Sequence, residues 1–187
     1  DDGVELVLPA DRPAVQLVWE VDRVEDYRPV VGPFCREARR RGRRLVYFRF
    51  ARHAPLLDAA DGAETFALDP SEGFEKFLTE ILDVIEHAGI QAYYVFDCLS
   101  DLAVDWFSDR MMSNFYRIVC PYVYELKTLA FFGLLKDRHS VQATDGISQT
   151  AQVVLDVFGK GDRLYLQPLK VFERHSPTMY MLHVWEG

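Results

Sequence analysis

Long apolar runs are missing from these 187 residues: no uncharged stretch approaches the ~18 residues that a membrane-spanning helix needs. Basic charge is also in deficit. Twenty-one Lys and Arg face 29 Asp and Glu, a formal net charge of −8, and the isoelectric point is near 5.1. An acidic surface repels phosphate backbones, so general nucleic-acid binding is not expected. Cysteine is scarce. Cys35, Cys98 and Cys120 are far apart, odd in number and set in apolar surroundings, which reads as reduced core thiols of a cytoplasmic protein. No Cys-x-x-Cys pair, His-Glu-x-x-His run or paired-His spacing occurs, so no metal site is expected. An amino-terminal succession of basic, apolar and small-residue segments is lacking, and nothing points to export. The chain begins at Asp1 without an initiating Met, and a piece of a longer protein, with partner domains elsewhere on it, is the expectation.

What is present is a globular composition: 49% hydrophobic and 27% charged residues, which excludes disordered, collagen-like and coiled-coil classes. A chain of this length buries about 70% of its unfolded surface and forms one domain, 1–187. No internal repeat or low-complexity linker divides it.

The run Ala14 to Glu20 has the continuous apolarity of a strand buried on both faces. Val30 to Arg41 has helical spacing and stops at Gly42. Arg44 to Phe50 is a second strand, and Ala54 to Leu68 is irregular with a turn at Asp61-Gly62. Asp69-Pro70-Ser71-Glu72 is a helix-start signature. Phe74, Phe77, Leu78, Ile81, Leu82 and Ile85 then recur at three and four until Gly89. Ala92 to Phe96 is a buried strand ending in Asp97. Phe107, Met111, Phe115, Ile118 and Tyr122 outline a further helix, broken or restarted at Pro121. Thr128 to Leu135 is another buried strand. Beyond it the periodicity is ambiguous: Ile147 to Phe158 fits a helix, whereas Val153 to Phe158 and Arg163 to Phe172 fit a hairpin, and Met179 to Trp185 reads as a last strand after the turn His175-Ser176-Pro177. Alternating strands and helices followed by hairpins make a three-layer α/β domain with a mostly parallel central sheet and C-terminal antiparallel hairpins.

Asp97 closes an apolar strand, and ligands of open α/β sheets gather beyond the carboxyl ends of strands. Tyr94-Val95-Phe96-Asp97 has the form of the magnesium-positioning strand of P-loop ATPases, though an Asp in this place also serves as an ordinary turn or helix cap. The order of elements around it, together with Leu169-Lys170 followed by Arg174-His175-Ser176-Pro177 and a closing strand, resembles the RecA-like ATPase superfamily and, within it, the KaiC-like domains. The resemblance implies strands at Val153 to Phe158. It also makes Asp97 and Lys170 the remnants of a nucleotide and magnesium site, and it implies side-by-side assembly in which the lysine hairpin faces a neighbouring subunit.

The departures from that pattern are specific. A phosphate loop GxxxxGK[ST] converges backbone amides and a lysine on phosphate, but the first strand is followed by Val21-Asp22-Arg23-Val24-Glu25-Asp26-Tyr27-Arg28-Pro29, with three carboxylates, no Gly and no Lys. The paired Glu that polarise water in KaiC-like domains are matched by Arg49-Phe50-Ala51-Arg52-His53, and the arginine two residues past the hairpin lysine is matched by Phe172. Phosphoryl transfer needs several such groups together. The expected function is therefore a non-catalytic, pseudo-ATPase module with a structural, regulatory or assembly role and no cofactor. Its expected partners are another protein or other domains of a longer chain, or a second copy in a homo-dimer formed through Phe172, Met179 or Tyr122. An alternative is an unconventional ATPase that binds ATP with magnesium through Asp97 and Lys170.

A second constellation, Arg36, Arg39, Arg40, Arg41, Arg43 and Arg44, suits an anion, nucleic acid or acidic partner, or else a solvated helix end complementing the helix dipole. Cys98 reads as a buried thiol and the five histidines as packing or surface residues. Phe74, Phe77, Trp106, Phe107, Phe115, Phe131 and Phe132 read as core.

Overall fold

The computed structural model describes residues 14–175 and 182–186; Ser176, Pro177 and Met179 of the expected terminal turn and strand lie outside them. The chain runs β1 (Val15–Val21), α1 (Val24–Arg40), β2 (Leu45–Arg49), β3 (Glu64–Ala67), α2 (Phe74–Ala88), β4 (Tyr93–Cys98), α3 (Ser100–Asp105), α4 (Asp109–Glu125), β5 (Leu129–Leu135), α5 (Val141–Thr150), β6 (Val153–Lys160), β7 (Arg163–Val171), β8 (Arg174–His175) and β9 (His183–Trp185). One sheet takes the order β3-β2-β4-β5-β1-β6-β7-β8, with β9 also paired to β7. The first six strands are mutually parallel, and β7, β8 and β9 continue the sheet antiparallel. This is the expected three-layer α/β architecture.

The central strands are apolar on both sides because both sides are covered. All of β4 is buried. On one face α1 presents Tyr27, Val31, Phe34 and Ala38 to Leu17, Trp19, Val95 and Phe131, with the Phe34 ring stacked on Phe131 at a 4.0 Å centroid separation. The opposite face packs α2, α4 and α5 over Val18, Phe48, Phe96 and Phe132. Among the described residues no helix is long and apolar enough to cross a membrane.

Several local expectations are corrected. Helix α1 starts at Val24, not Val30, and carries Pro29 and Pro33 inside it. An internal Pro costs about 3 kcal/mol, whereas each fully buried large apolar side chain contributes about 1.5–3 kcal/mol. Tyr27, Val30, Val31 and Phe34 are all buried on this helix, and packing outweighs propensity. Pro121 likewise lies within a continuous α4. The segment Ala54 to Leu68, read as irregular, contains the short edge strand β3. Asp69 caps a 3-10 turn, Pro70–Glu72, by accepting the Ser71 N–H, and α2 begins only after Gly73 at φ 111.

The stripe expected to bury α4 is rotated. Met112, Phe115, Tyr116, Val119 and Val123 face the sheet, while Ile118 is 44% and Phe107 95% exposed. Phe107 precedes the helix, so its spacing to Phe115 places nothing. The aromatics Phe77, Phe115, Phe131 and Phe132 are buried as expected, and Phe74 and Trp106 pack half-buried against the same core.

Candidate functional site

Asp97 sits at the carboxyl end of β4 and is fully buried. The register that pairs Tyr47 with Val95 and Phe48 with Phe96 carries Arg49 alongside it. The carboxylate accepts four hydrogen bonds: from the Tyr47 hydroxyl, from Arg49 Nη1, and from the Phe50 and Ala51 N–H groups at 2.9 Å each. Three of these bonds converge on Oδ2 and the Tyr47 hydroxyl engages Oδ1, so both oxygens of the carboxylate are engaged. A buried charge without such partners would cost several kcal/mol.

The same groups bind the segment after β2 over the carboxylate. Arg49 also donates to the Ala51 and His53 carbonyls, and Tyr47 Oη accepts the Leu56 N–H at 3.0 Å. Burial and the negative charge of Asp97 raise the Tyr47 pKa, so the phenol remains a donor. His53 Nε2 accepts the Cys98 N–H at 3.2 Å, and its Nδ1 lies 2.8 Å from the Ala54 carbonyl. A carbonyl only accepts, so the proton is on Nδ1 and the ring is neutral. Its 3.8 Å approach to Asp97 is therefore a contact of a dipole with a carboxylate.

The connection after β1 is two residues long, Asp22 and Arg23, because the helix claims the remainder of Val21 to Pro29. Asp22 and Asp26 are engaged locally. Asp26 pairs with Arg23 at 3.0 Å. Lys136 donates its backbone N–H to the Val21 carbonyl, and its ammonium reaches Asp22 at 3.1 Å and Asp156 at 2.6 Å. Glu20 beside them has a raised pKa, from burial first and the Asp156 charge second. Tyr27, fully buried, lies so flat on Gly133 that a Cβ there would come within 2.7 Å of its ring. Its hydroxyl donates to the Phe96 carbonyl at 3.2 Å, within the irregular β4–β5 register between Val95 and Cys98.

Lys170 is not brought to Asp97. Its strand β7 is four strand spacings from β4, about 19 Å across the sheet. The ammonium donates to the carbonyls of Ser148, Gln149 and Ala151, and so caps the carboxyl end of α5, as a cation does favourably. Burial lowers its pKa. Phe172 and Tyr122, expected as contact surface, are half-buried against the core.

The arginine cluster lies at the opposite, amino end of the strands. Arg40 and Arg41 share Glu37, which holds that carboxyl down at about 2. Arg39 donates to the Ala60 carbonyl, Arg43 to Gln91, and Arg44 to Glu64 and the His87 carbonyl. Arg36 extends beside Gly32 on the same helix. The three thiols are buried and unpaired, with pKa values pushed up by burial to about 12 for Cys35 and about 11 for Cys98 and Cys120; they are inert at neutral pH.

Sequence reasoning missed Tyr47, Arg49 and His53 as partners of Asp97. The signal available was Tyr47 and Arg49 on one side of the strand that neighbours Asp97. It also missed Ser100, whose hydroxyl is hydrogen-bonded with His139 Nε2 at 2.7 Å and accepts the Leu135 N–H at 2.9 Å. That pair ties the end of β4 to the loop after β5.

No family model and no curated protein matches the sequence. Among solved structures, a KaiC-like protein of the hyperthermophilic archaeon Pyrococcus horikoshii superimposes with a TM-score of 0.67, over 92% of this chain and 85% of that one, at 13% identity. The chain has a KaiC-like, RecA-type fold. At 13% identity the likeness speaks for the fold alone.

Proposed function

We propose that this chain is a non-catalytic, cytoplasmic KaiC-like domain whose phosphate loop has degenerated, acting as a structural, regulatory or assembly module for a protein partner or for other domains of a longer chain. The observation that carries this reading is the engagement of both buried Asp97 oxygens, Oδ1 by the Tyr47 hydroxyl and Oδ2 by Arg49 and two backbone amides. A carboxylate that positions magnesium keeps an oxygen available to the ion or its waters, and here an ion would have to compete with the Tyr47 hydroxyl for buried Oδ1 or displace Arg49 and two amides from Oδ2. Two features support the reading. The two-residue connection after β1 has little backbone to wrap a triphosphate, and its surroundings hold Glu20, Asp22 and Asp156 around one lysine. Arg49 contributes a cation where paired Glu would polarise water. The ATPase alternative through Asp97 and Lys170 draws no support from their separation within one chain or from the three carbonyls on Lys170.

The test is phosphate release from ATP with magnesium, wild type against Asp97→Asn. Both are expected at the background of a protein-free control. Release by the wild type that is lost in Asp97→Asn would overturn the reading.

A further inference from the structure

Glu20 and Asp156 are paired residues of the adjacent parallel strands β1 and β6. Their side chains leave the same side of the sheet from backbones about one strand spacing apart, ~4.8 Å. Like charges directly opposite each other destabilise such a pairing. One cation serves both. The Lys136 ammonium has three N–H donors, which go to Asp156 at 2.6 Å, to Asp22 at 3.1 Å and to the Val157 carbonyl at 3.1 Å. Glu20 receives none of them. All of this happens out of bulk water: Glu20, Asp156 and Lys136 are half-buried, and the ammonium lies over the Phe158 ring at 5.6 Å.

Among the described residues no second cation acts on Glu20. Asp137, next to Lys136, adds a further negative charge. Leu134 faces Glu20 from β5, and Gln167 faces Asp156 from β7. Arg23, beside Asp22, is turned to Asp26. The single titratable side chain of α5, Asp145, is exposed. Four carboxylates therefore gather around one ammonium. Burial first, and then the charge of Asp156, raise the Glu20 pKa, which Lys136 opposes.

We propose that the β1–β6 junction is a pH-sensitive latch, in which Glu20 carries a proton donated to the Asp156 carboxylate and the loss of that proton to solvent loosens the strand pairing there. The pairing concerned is Glu20 with Asp156 and Val21 with Val157. Strand β6 is the last parallel strand, and β7, β8 and β9 join the sheet through it, so the latch sets how firmly the antiparallel extension is held. The sign follows from linkage. A folded pKa above the ordinary Glu value near 4.3 gives a contribution complete below that value and lost as pH rises through the folded one. The inference does not depend on whether the domain binds nucleotide.

Carboxyl-carbon NMR of the 187-residue chain tests it. Glu20 is expected to titrate above the ordinary Glu range, Asp156→Asn should lower its midpoint, and Lys136→Met should raise it. Glu20→Gln imitates the protonated state at every pH. Its melting temperature should therefore exceed that of the wild type at neutral pH, with the gap closing as pH falls through the Glu20 midpoint. Amide exchange at residues 20, 21, 156 and 157 should be about 1.5- to 5-fold faster in the wild type than in Glu20→Gln at neutral pH, the size of a cross-strand like-charge pair, and equal in both below the midpoint. Three results would each overturn the proposal: a Glu20 midpoint within or below the ordinary range, a midpoint that Asp156→Asn leaves in place, or a Glu20→Gln chain that is no more stable and no better protected than the wild type at neutral pH.

Discussion

The two ends of the parallel sheet use the same chemical pair in opposite ways. At the carboxyl end Arg49 meets Asp97, with side-chain exposures of 21% and 0%. At the amino end Arg40 and Arg41 meet Glu37, and Arg44 meets Glu64, on partners 33% to 71% exposed. In water an exposed ion pair gains little over its separate hydration, typically 0–1 kcal/mol. A buried one is not worth more merely by being buried, but breaking it strands the remaining charge. The carboxyl end is therefore sensitive to single changes, and the amino end is tolerant of them.

Asp97→Ala should show the largest effect. It leaves Arg49, the Tyr47 hydroxyl and two amides without their acceptor, which should cost about 3–5 kcal/mol. At about 2–4 °C per kcal/mol for a domain of this size, thermal denaturation should fall by about 6–20 °C. A drop under 2 °C would mean that the four donors find other partners. Tyr47→Phe strands one carboxylate oxygen and the Leu56 N–H, for an expected loss of about 1–3 kcal/mol by denaturant titration. Gly133→Ala should cost about 1–3 kcal/mol through overpacking against Tyr27.

The smallest effects belong to the amino end. Glu37→Gln should cost less than about 1 kcal/mol at neutral pH. Its pH dependence has a definite sign: the folded pKa is depressed to about 2, below the ordinary Glu value near 4.3. The contribution is therefore complete above the unfolded pKa and is lost as pH falls toward about 2. Melting temperatures of wild type and Glu37→Gln should converge over that interval, and added salt should narrow the gap at neutral pH.

Much of the fold was legible because strands buried on both faces, such as Ala92 to Phe96, announce themselves as apolar runs, and because Gly42 and Gly89 end their helices. Asp97 was legible as the polar residue closing such a run. Its partners were not, since Tyr47 and Arg49 are 50 and 48 residues distant and are joined to it only by the adjacency of β2 and β4. Pro29 and Pro121 misled because intrinsic propensity ranks proline as a breaker, whereas the helices containing them bury enough apolar surface to continue. Phe107 misled by spacing alone: counted with Phe115 it falls on one helical face, but α3 stops at Asp105 and α4 starts at Asp109. The turn between them reverses where its side chain stands.

The central claim is that the carboxyl-end charges are committed to one another and not held ready for a nucleotide. Thermal denaturation of the wild-type chain with and without millimolar ATP and magnesium tests it most directly. A site with a dissociation constant one-hundredth of the ATP concentration would stabilise the fold by about 2.7 kcal/mol, raising the melting temperature by about 5–10 °C. The account predicts no magnesium-dependent change. A rise of that size, present with ATP and magnesium together and absent with either alone, would contradict it.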